Sequence, residues 1–370
     1  MPQKKILLVQ LFSYGDCLYA TAIARQIKKD FPGCYLVWAI ASFCKDILDD
    51  NPFVDEVMEV ATVRKSNTAE FRRFKKEVYR KNGFDEIFVT TNMDYNQAYY
   101  DGCIRSNIFN AYPNPVTVPI QPVVRIDNLE HKKVKDFAEK HELNSYINVI
   151  LFEYAPQSGQ SMMSKDFALH IAEELTVDGK TAVILSSANK IDHPNKAIID
   201  GSVLNFRETI AFTHYCTFLL GSSSGITWAS TSDAGKQLPM VQLLNAGTTW
   251  VNPISRDFKR FGFSTENVIE LIDFNAEKII ECVQTALKGF SAAKKAFNQD
   301  VPLHFKTTRK IVYNLLVYLE FGAILKHIKY NRKVYGNNPN FYSEIVNGVL
   351  IFPFKLIRNV LIKRLLKNIK

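Results

Sequence analysis

With 370 residues and 47 % hydrophobic content, the chain is long enough for two domains with ordinary cores. Its six cysteines show no CxxC spacing, which excludes a zinc ribbon or redox dithiol reading and fits a reducing compartment. The net charge of +9 is uneven: of 46 Lys/Arg and 37 Asp/Glu, 13 and 2 fall after residue 300, so the body is nearly neutral and the C-terminal part carries the excess. That pattern excludes a fold with a basic nucleic-acid face and favours a basic tail meeting something anionic. The first apolar run breaks at Gly15-Asp16, too early for a signal peptide. No run reaches the ~18 apolar residues of a spanning helix, so a cytoplasmic chain is expected.

In chain order, Ile6 to Leu11 reads as a buried parallel strand. Residues 12–16 are a turn and 17–30 a helix, with Leu18, Ala22, Ile23 and Ile27 on one face. Gly33 precedes a strand over 35–40, and 43–48 is helical. Residues 54–60 are strand-like, 68–81 a charged helix, and 87–90 a further strand. Alternation of this kind predicts a doubly wound α/β sheet. Four prolines in 110–122 break the pattern, and a linker is expected over 126–145. A second alternating block follows: strand 146–152, helix 166–176, strand 181–186, helix 209–216, strand 218–220, a helix start at 227–232, strand 240–244 and an amphipathic helix 275–287. The expected organisation is an N-terminal Rossmann-like domain (1–125), the linker, a second Rossmann-like domain (146–290) and a basic helical tail (291–370). Within the tail, residues 354–367 segregate Lys355, Arg358, Lys363 and Lys367 from Leu356, Ile357, Val360, Leu361, Leu365 and Leu366. A basic amphipathic helix near Pro353 is expected, suited to an anionic membrane surface. Packing of the same helix on a domain is the alternative.

Five loops sit where strands end. Ser13-Tyr14-Gly15-Asp16 follows the first strand, at the edge where open α/β sheets bind ligands. Asp16 there suits a general base for a sugar hydroxyl, or a helix cap and nothing more. The Gly221-to-Thr227 turn places Ser223, Ser224, Gly225 and Thr227 at a helix start, where small residues and free N–H groups suit phosphate. The 155–161 loop, with Ser158 and Ser161, and Lys165 beyond it form a third candidate. Ser187 and Asn189 are a fourth, and Asn245 a fifth. The last four line one edge of the second sheet, facing the Asp16 edge, as a cleft between two domains requires. Asn92, Asp94 and Asn96, interleaved with tyrosines after a first-domain strand, suit an acceptor sugar, although a plain surface loop is an equal reading. No Asp-x-Asp, GxGxxG, GxxxxGK[ST] or HExxH occurs, so neither metal nor cofactor is proposed.

The run from Ile6 through Gly15-Asp16-Cys17-Leu18 resembles the opening of glycosyltransferase family 9, the ADP-heptose:lipopolysaccharide heptosyltransferases. The likeness continues at Phe31-Pro32-Gly33, Asn51-Pro52-Phe53-Val54-Asp55, Phe84-Asp85-Glu86-Ile87 and Ser223-Ser224-Gly225, covering about 4–290. It implies a GT-B fold, two Rossmann-like domains facing a cleft, with Asp16 as catalytic base and Ser13, Tyr14 and Gly15 beside it on the acceptor side. The family's acid and histidine around the second-domain turn are replaced here by Ser223 and Trp228, and its Lys-x-Trp-Pro run has no clear copy. The expected activity is an inverting, metal-independent sugar transfer from a nucleotide sugar to a glycan or lipid-linked acceptor of lipopolysaccharide or capsule type. The protein would act peripherally on the inner face of the plasma membrane. A nucleotide-sugar epimerase on the same fold and a non-catalytic assembly protein stay open. The epimerase would need further acids or bases in the cleft.

Overall fold

The computed structural model describes residues 3–65, 67–156, 161, 163–245 and 253–357. β1 (Lys5–Val9) is apolar and buried from Ile6 to Val9 because helices cover both faces of its sheet. It is followed by α1 (Tyr14–Asp30), β2 (Tyr35–Ile40), a 3-10 segment at Ser42–Leu48, β3 (Glu56–Glu59), α2 (Thr68–Lys81) and β4 (Glu86–Val89). The four strands are parallel in the order β3-β2-β1-β4. A 3-10 segment at Asp94–Tyr99 and α3 (Ile104–Ala111) complete this domain.

Two elements of the expected organisation are corrected. Residues 126–145 are not a linker. They hold α4 (Asn128–Lys140), started by a reciprocal capping box in which Asp127 accepts from the Glu130 amide (2.7 Å) and Glu130 from the Asp127 amide (2.9 Å). The connection is instead the proline-rich stretch just before it, whose fixed backbone spans the domains without regular structure. The second sheet is built from β5 (Asn148–Glu153), α5 (Lys165–Thr176), β6 (Thr181–Ser186), β7 (Ile198–Asp200), α6 (Phe206–Phe212), β8 (Phe218–Gly221), α7 (Gly225–Ala229), β9 (Met240–Leu243), α8 (Ile254–Phe261), β10 (Val268–Leu271), α9 (Ala276–Lys288) and α10 (Phe290–Phe297). Helix α4 packs on α6 of this domain, and α10 packs on α9 and β10, so the domain runs past 290. Its strands are parallel in the order β10-β9-β8-β5-β6-β7. Counted from β5, this is the doubly wound order in which the chain reverses direction between the first and fourth strands.

The second correction concerns the tail. α11 (Lys306–Val317), α12 (Phe321–Tyr335) and α13 (Pro339–Ile357) return to the first domain. Ile311, Leu315, Ala323 and Ile324 form a small core with Ala98 and Tyr100. His327, fully buried there, faces the Ala98 carbonyl and the Thr308 hydroxyl, each at 3.3 Å, and burial holds its pKa down at about 4. Gly348 lies so close to α11 that a Cβ on it would meet Val312 at 2.9 Å. Pro353 sits inside α13 rather than near a helix start. The expected basic helix over 354–367 falls on α13 up to Ile357, and 358–370 lie outside the described residues. The α13 face turned from α11 leaves Val346, Val349, Leu350, Phe354 and Ile357 exposed. Among the described residues no helix is long and apolar enough to cross a membrane.

Candidate functional site

Both sheets reverse direction at their centres, between β1 and β4 and between β5 and β8, and the two carboxyl edges face each other. The loop after β1 enters α1 through Ser13, whose φ is 68°. The turn after β8 enters α7 through Ser223, with φ 54°. These two turns touch. A Cβ on Gly15 would stand 3.5 Å from Trp228 and 3.9 Å from Gly225, and one on Gly225 would meet Phe206 at 3.2 Å. Tyr14 stacks on Phe206 at 4.4 Å between ring centroids.

Two cavities open on either side of this seam, and Ser13, Gly15, Lys65, Ser224 and Gly225 line both. One, of about 370 Å³, lies against the first domain and holds Asp16, Tyr19, Asn92, Asp94 and Trp228. The other, of about 640 Å³, lies against the second domain and holds Tyr14, Asp46, Glu153, Ser187 and Asn205. Burial raises Asp16 to a pKa of about 7, with Lys65 opposing the shift. Glu153, at the last position of β5, is likewise raised to about 7 by burial, against a hydrogen bond donated by Ser224 Oγ to its Oε2. Tyr14 Oη reaches Asp46 at 3.3 Å, and burial with that neighbouring carboxylate pushes its phenol upward.

The residues singled out from the sequence divide. Ser13, Tyr14, Gly15, Asp16, Asn92, Asp94, Ser187, Ser223, Ser224 and Gly225 line one cavity or both. Several others do not. Asn96 is buried, donating to the Val89 and Thr91 carbonyls at 2.8 and 3.1 Å. Thr227 is buried and gives its hydroxyl to Gln242 Oε1 at 3.1 Å, the atom that also accepts from the Ser223 amide. Ser161 Oγ accepts from the Asn245 amide at 2.8 Å, tying two loops together away from both cavities. Lys165 is exposed at the start of α5, and Asn189 is exposed beyond Ser187. Asp94 borders the first cavity, but its carboxylate is held by Arg72 and Lys75 at 2.7 Å each. Ser158 lies outside the described residues. Sequence reasoning missed Glu153, Lys65, Asp46 and Gln242. Among the described residues no group of three or more His, Cys, Asp or Glu is placed to hold a metal ion.

The tail also reaches the site. Lys310 and Asn314 of α11 line the first-domain cavity beside Asp16, so the C-terminal helices form part of its wall. The domains are held together behind the seam. Arg207 of α6 pairs with Glu130 through two contacts of 2.7 Å and donates to the Asp46 carbonyl at 2.8 Å. Arg105 of α3 is fully buried among Tyr19, Trp228, Phe261 and Phe263, and its guanidinium stands 3.3 Å from Asp257 of α8. Cys103 Sγ donates to the other Asp257 oxygen at 2.8 Å.

Two Rossmann-like domains with facing carboxyl edges and a seam of small residues between them define a GT-B fold. Solved structures share it. A glycosyl transferase family 9 protein from Veillonella parvula superposes with a TM-score of 0.54 at 13 % identity, over 77 % of this chain and 97 % of that one. The E. coli ADP-heptose lps heptosyltransferase II superposes with a TM-score of 0.53 at 14 % identity, over 77 % and 98 %. No family model matches the sequence, and no curated protein matches it. The fold expected from the resemblance of the opening strand and turn is the fold found.

Proposed function

We propose that the chain is an inverting glycosyltransferase that moves a sugar from a nucleotide-sugar donor to a glycan or lipid-linked acceptor without a metal ion. The observation that carries this reading is Asp16. It is a carboxyl of pKa about 7, at a sheet's reversal point, on the acceptor side of a seam shared by two cavities. A base poised near neutral pH is suited to take a proton from a hydroxyl as that oxygen attacks. The acceptor hydroxyl lies in the first-domain cavity and the donor in the larger one. The oxygen bonds to the anomeric carbon from one side while the bond to the phosphate breaks on the other, which inverts the centre. Lys65, bordering both cavities, supplies positive charge where the phosphate departs. The structural neighbour from E. coli is described as acting with ADP-heptose, which supports a nucleotide sugar as the donor class.

The test is nucleotide release from ADP-, UDP-, GDP- and CMP-sugars, with water or a membrane extract as acceptor. Turnover of at least one donor is expected to persist in excess EDTA. Turnover abolished by EDTA and restored by Mg²⁺ would overturn the metal-free reading. The second carboxyl, Glu153, also suits an epimerase, which would convert the sugar with no acceptor and no nucleotide release.

A lipid-linked acceptor fits a protein held at the inner membrane face by α13. Phe354 is 75 % and Leu350 62 % exposed, beside Lys355 and ahead of the basic stretch 358–370. Each base near an anionic surface contributes ~1 kcal/mol. Full-length protein is expected to co-sediment with phosphatidylglycerol vesicles at low salt, and Leu350→Glu/Phe354→Glu to stay in the supernatant while melting as the parent does. Equal partitioning of parent and variant would contradict this. Cutting at 346 is a poorer test, because it removes Gly348 and its seat on α11.

A further inference from the structure

The donor cavity is short of positive charge. Among its described lining residues Lys65 is the one base, set against Asp46 and Glu153. α7 has five residues, too short to build much of a dipole, and the Ser223 amide at its start already donates to Gln242 at 2.5 Å. A departing nucleoside phosphate needs its developing charge neutralised, and beside Lys65 a proton donor in the cavity wall would share that work.

We infer that Glu153 is the general acid of the reaction, a protonated carboxyl that donates to the phosphate oxygen leaving the anomeric carbon. This rests on the glycosyltransferase reading and adds a second catalytic residue to it. Glu153 is 6 % exposed and lines the donor cavity, with Asp16 in the adjoining one across Ser13, Gly15, Ser224 and Gly225. Ser224 donates to Oε2, which leaves Oε1 as the atom to carry the proton. The ionisable groups facing the same cavity are Asp46, Lys65 and Tyr14, while β6 presents Ser186 beside Glu153. Burial keeps a proton on Glu153 up to about pH 7.

The step balances. The acceptor oxygen forms its bond to the anomeric carbon and gives its proton to Asp16. The bond from that carbon to the phosphate oxygen breaks, its electron pair stays on oxygen, and the Glu153 proton joins it. Asp16 ends protonated and Glu153 ionised, and exchange with water restores both. No oxidant, reductant or metal enters.

Product binding reads the proton directly. ADP and UDP are titrated calorimetrically into wild type and Glu153→Gln between pH 7.5 and 9, in two buffers of different ionisation enthalpy. Above pH 7 the terminal phosphate of the free nucleotide is largely ionised, so proton uptake on binding reports the protein. Wild type is expected to take up close to one proton, its affinity falling about tenfold per pH unit. Glu153→Gln, which still offers an N–H donor, should bind with little proton uptake and a flat pH profile. Nucleotide release from the donor should lose its alkaline limb in the same variant. Should Glu153→Gln fail to fold, Ser224→Ala serves: losing that hydrogen bond raises the Glu153 pKa and moves the loss of affinity to higher pH. Equal proton uptake in wild type and Glu153→Gln, or an unmoved profile in Ser224→Ala, overturns the assignment of Glu153 alone. Failure of wild type to bind any nucleotide at millimolar concentration overturns the glycosyltransferase reading as well.

Discussion

Asp16→Asn is expected to lower kcat by about 10²–10⁴ while leaving donor binding and the melting temperature close to those of the parent. The substitution is isosteric and removes only the capacity to accept a proton. Asp16 stands in the first turn of α1, and the α1 start is held by the Cys17 amide bonding to the Ser13 carbonyl at 2.9 Å. The sign of its pH dependence follows from its environment. Burial favours the neutral acid, so the base form is scarce below about pH 7 and kcat should rise as pH passes through that value. Lys65→Met withdraws the positive charge that opposes the shift at Asp16, and should move this limb to higher pH. A near-parental kcat for Asp16→Asn would reduce Asp16 to a helix-terminal carboxylate that favours the dipole.

Asp257→Ala is expected to cost about 3–5 kcal/mol of stability. Arg105 and Asp257 are both fully buried, one on each domain, and four aromatic rings surround the Arg105 guanidinium. Removing Asp257 strands a buried guanidinium and also takes the acceptor from Cys103. Replacing the pair together, Arg105→Met with Asp257→Leu, should recover a large part of the loss, because an apolar pair of similar size carries no desolvation penalty. Chemical denaturation of the two singles and the double reports the coupling. A loss under ~1 kcal/mol for Asp257→Ala would show that the domains are joined by other contacts, such as Arg207 with the Asp46 carbonyl.

The alternation of apolar runs and amphipathic helices was enough to foresee two parallel sheets, because parallel strands buried on both faces have few other sequence patterns open to them. Asp16 was legible for a related reason: a Gly-Asp directly after the first strand falls where such sheets bind ligands. Glu153 was not, since a glutamate ending the run Leu151-Phe152-Glu153 reads the same whether it is a surface charge or a buried acid. Asn96 and Thr227 looked like ligand groups because sequence cannot show that the Val89 and Thr91 carbonyls, or Gln242, already occupy them. The box around Arg105 gathers residues from 19 to 263, and no local pattern joins them. The return of the tail to the first domain was hidden by its charge. Lys306, Lys326, Lys329, Arg332, Lys333 and Lys355 are exposed, while Ile311, Leu315 and Ile324 pack inward on Ala98 and Tyr100.

The central claim is that the larger cavity receives a nucleotide sugar, and a thermal-shift screen tests it most directly. ADP-, UDP-, GDP- and CMP-sugars would be compared on the parent and on Ala188→Trp, which places a ring at the rim of that cavity beside Ser187. A ligand held at ~100 times its dissociation constant stabilises the folded state by ~2.7 kcal/mol, a readily measured shift. At least one nucleotide sugar is expected to raise the melting temperature of the parent and of Asp16→Asn alike, and the shift is expected to disappear in Ala188→Trp. No shift with any of them at millimolar concentration, or a shift that survives the blocked cavity, would contradict it.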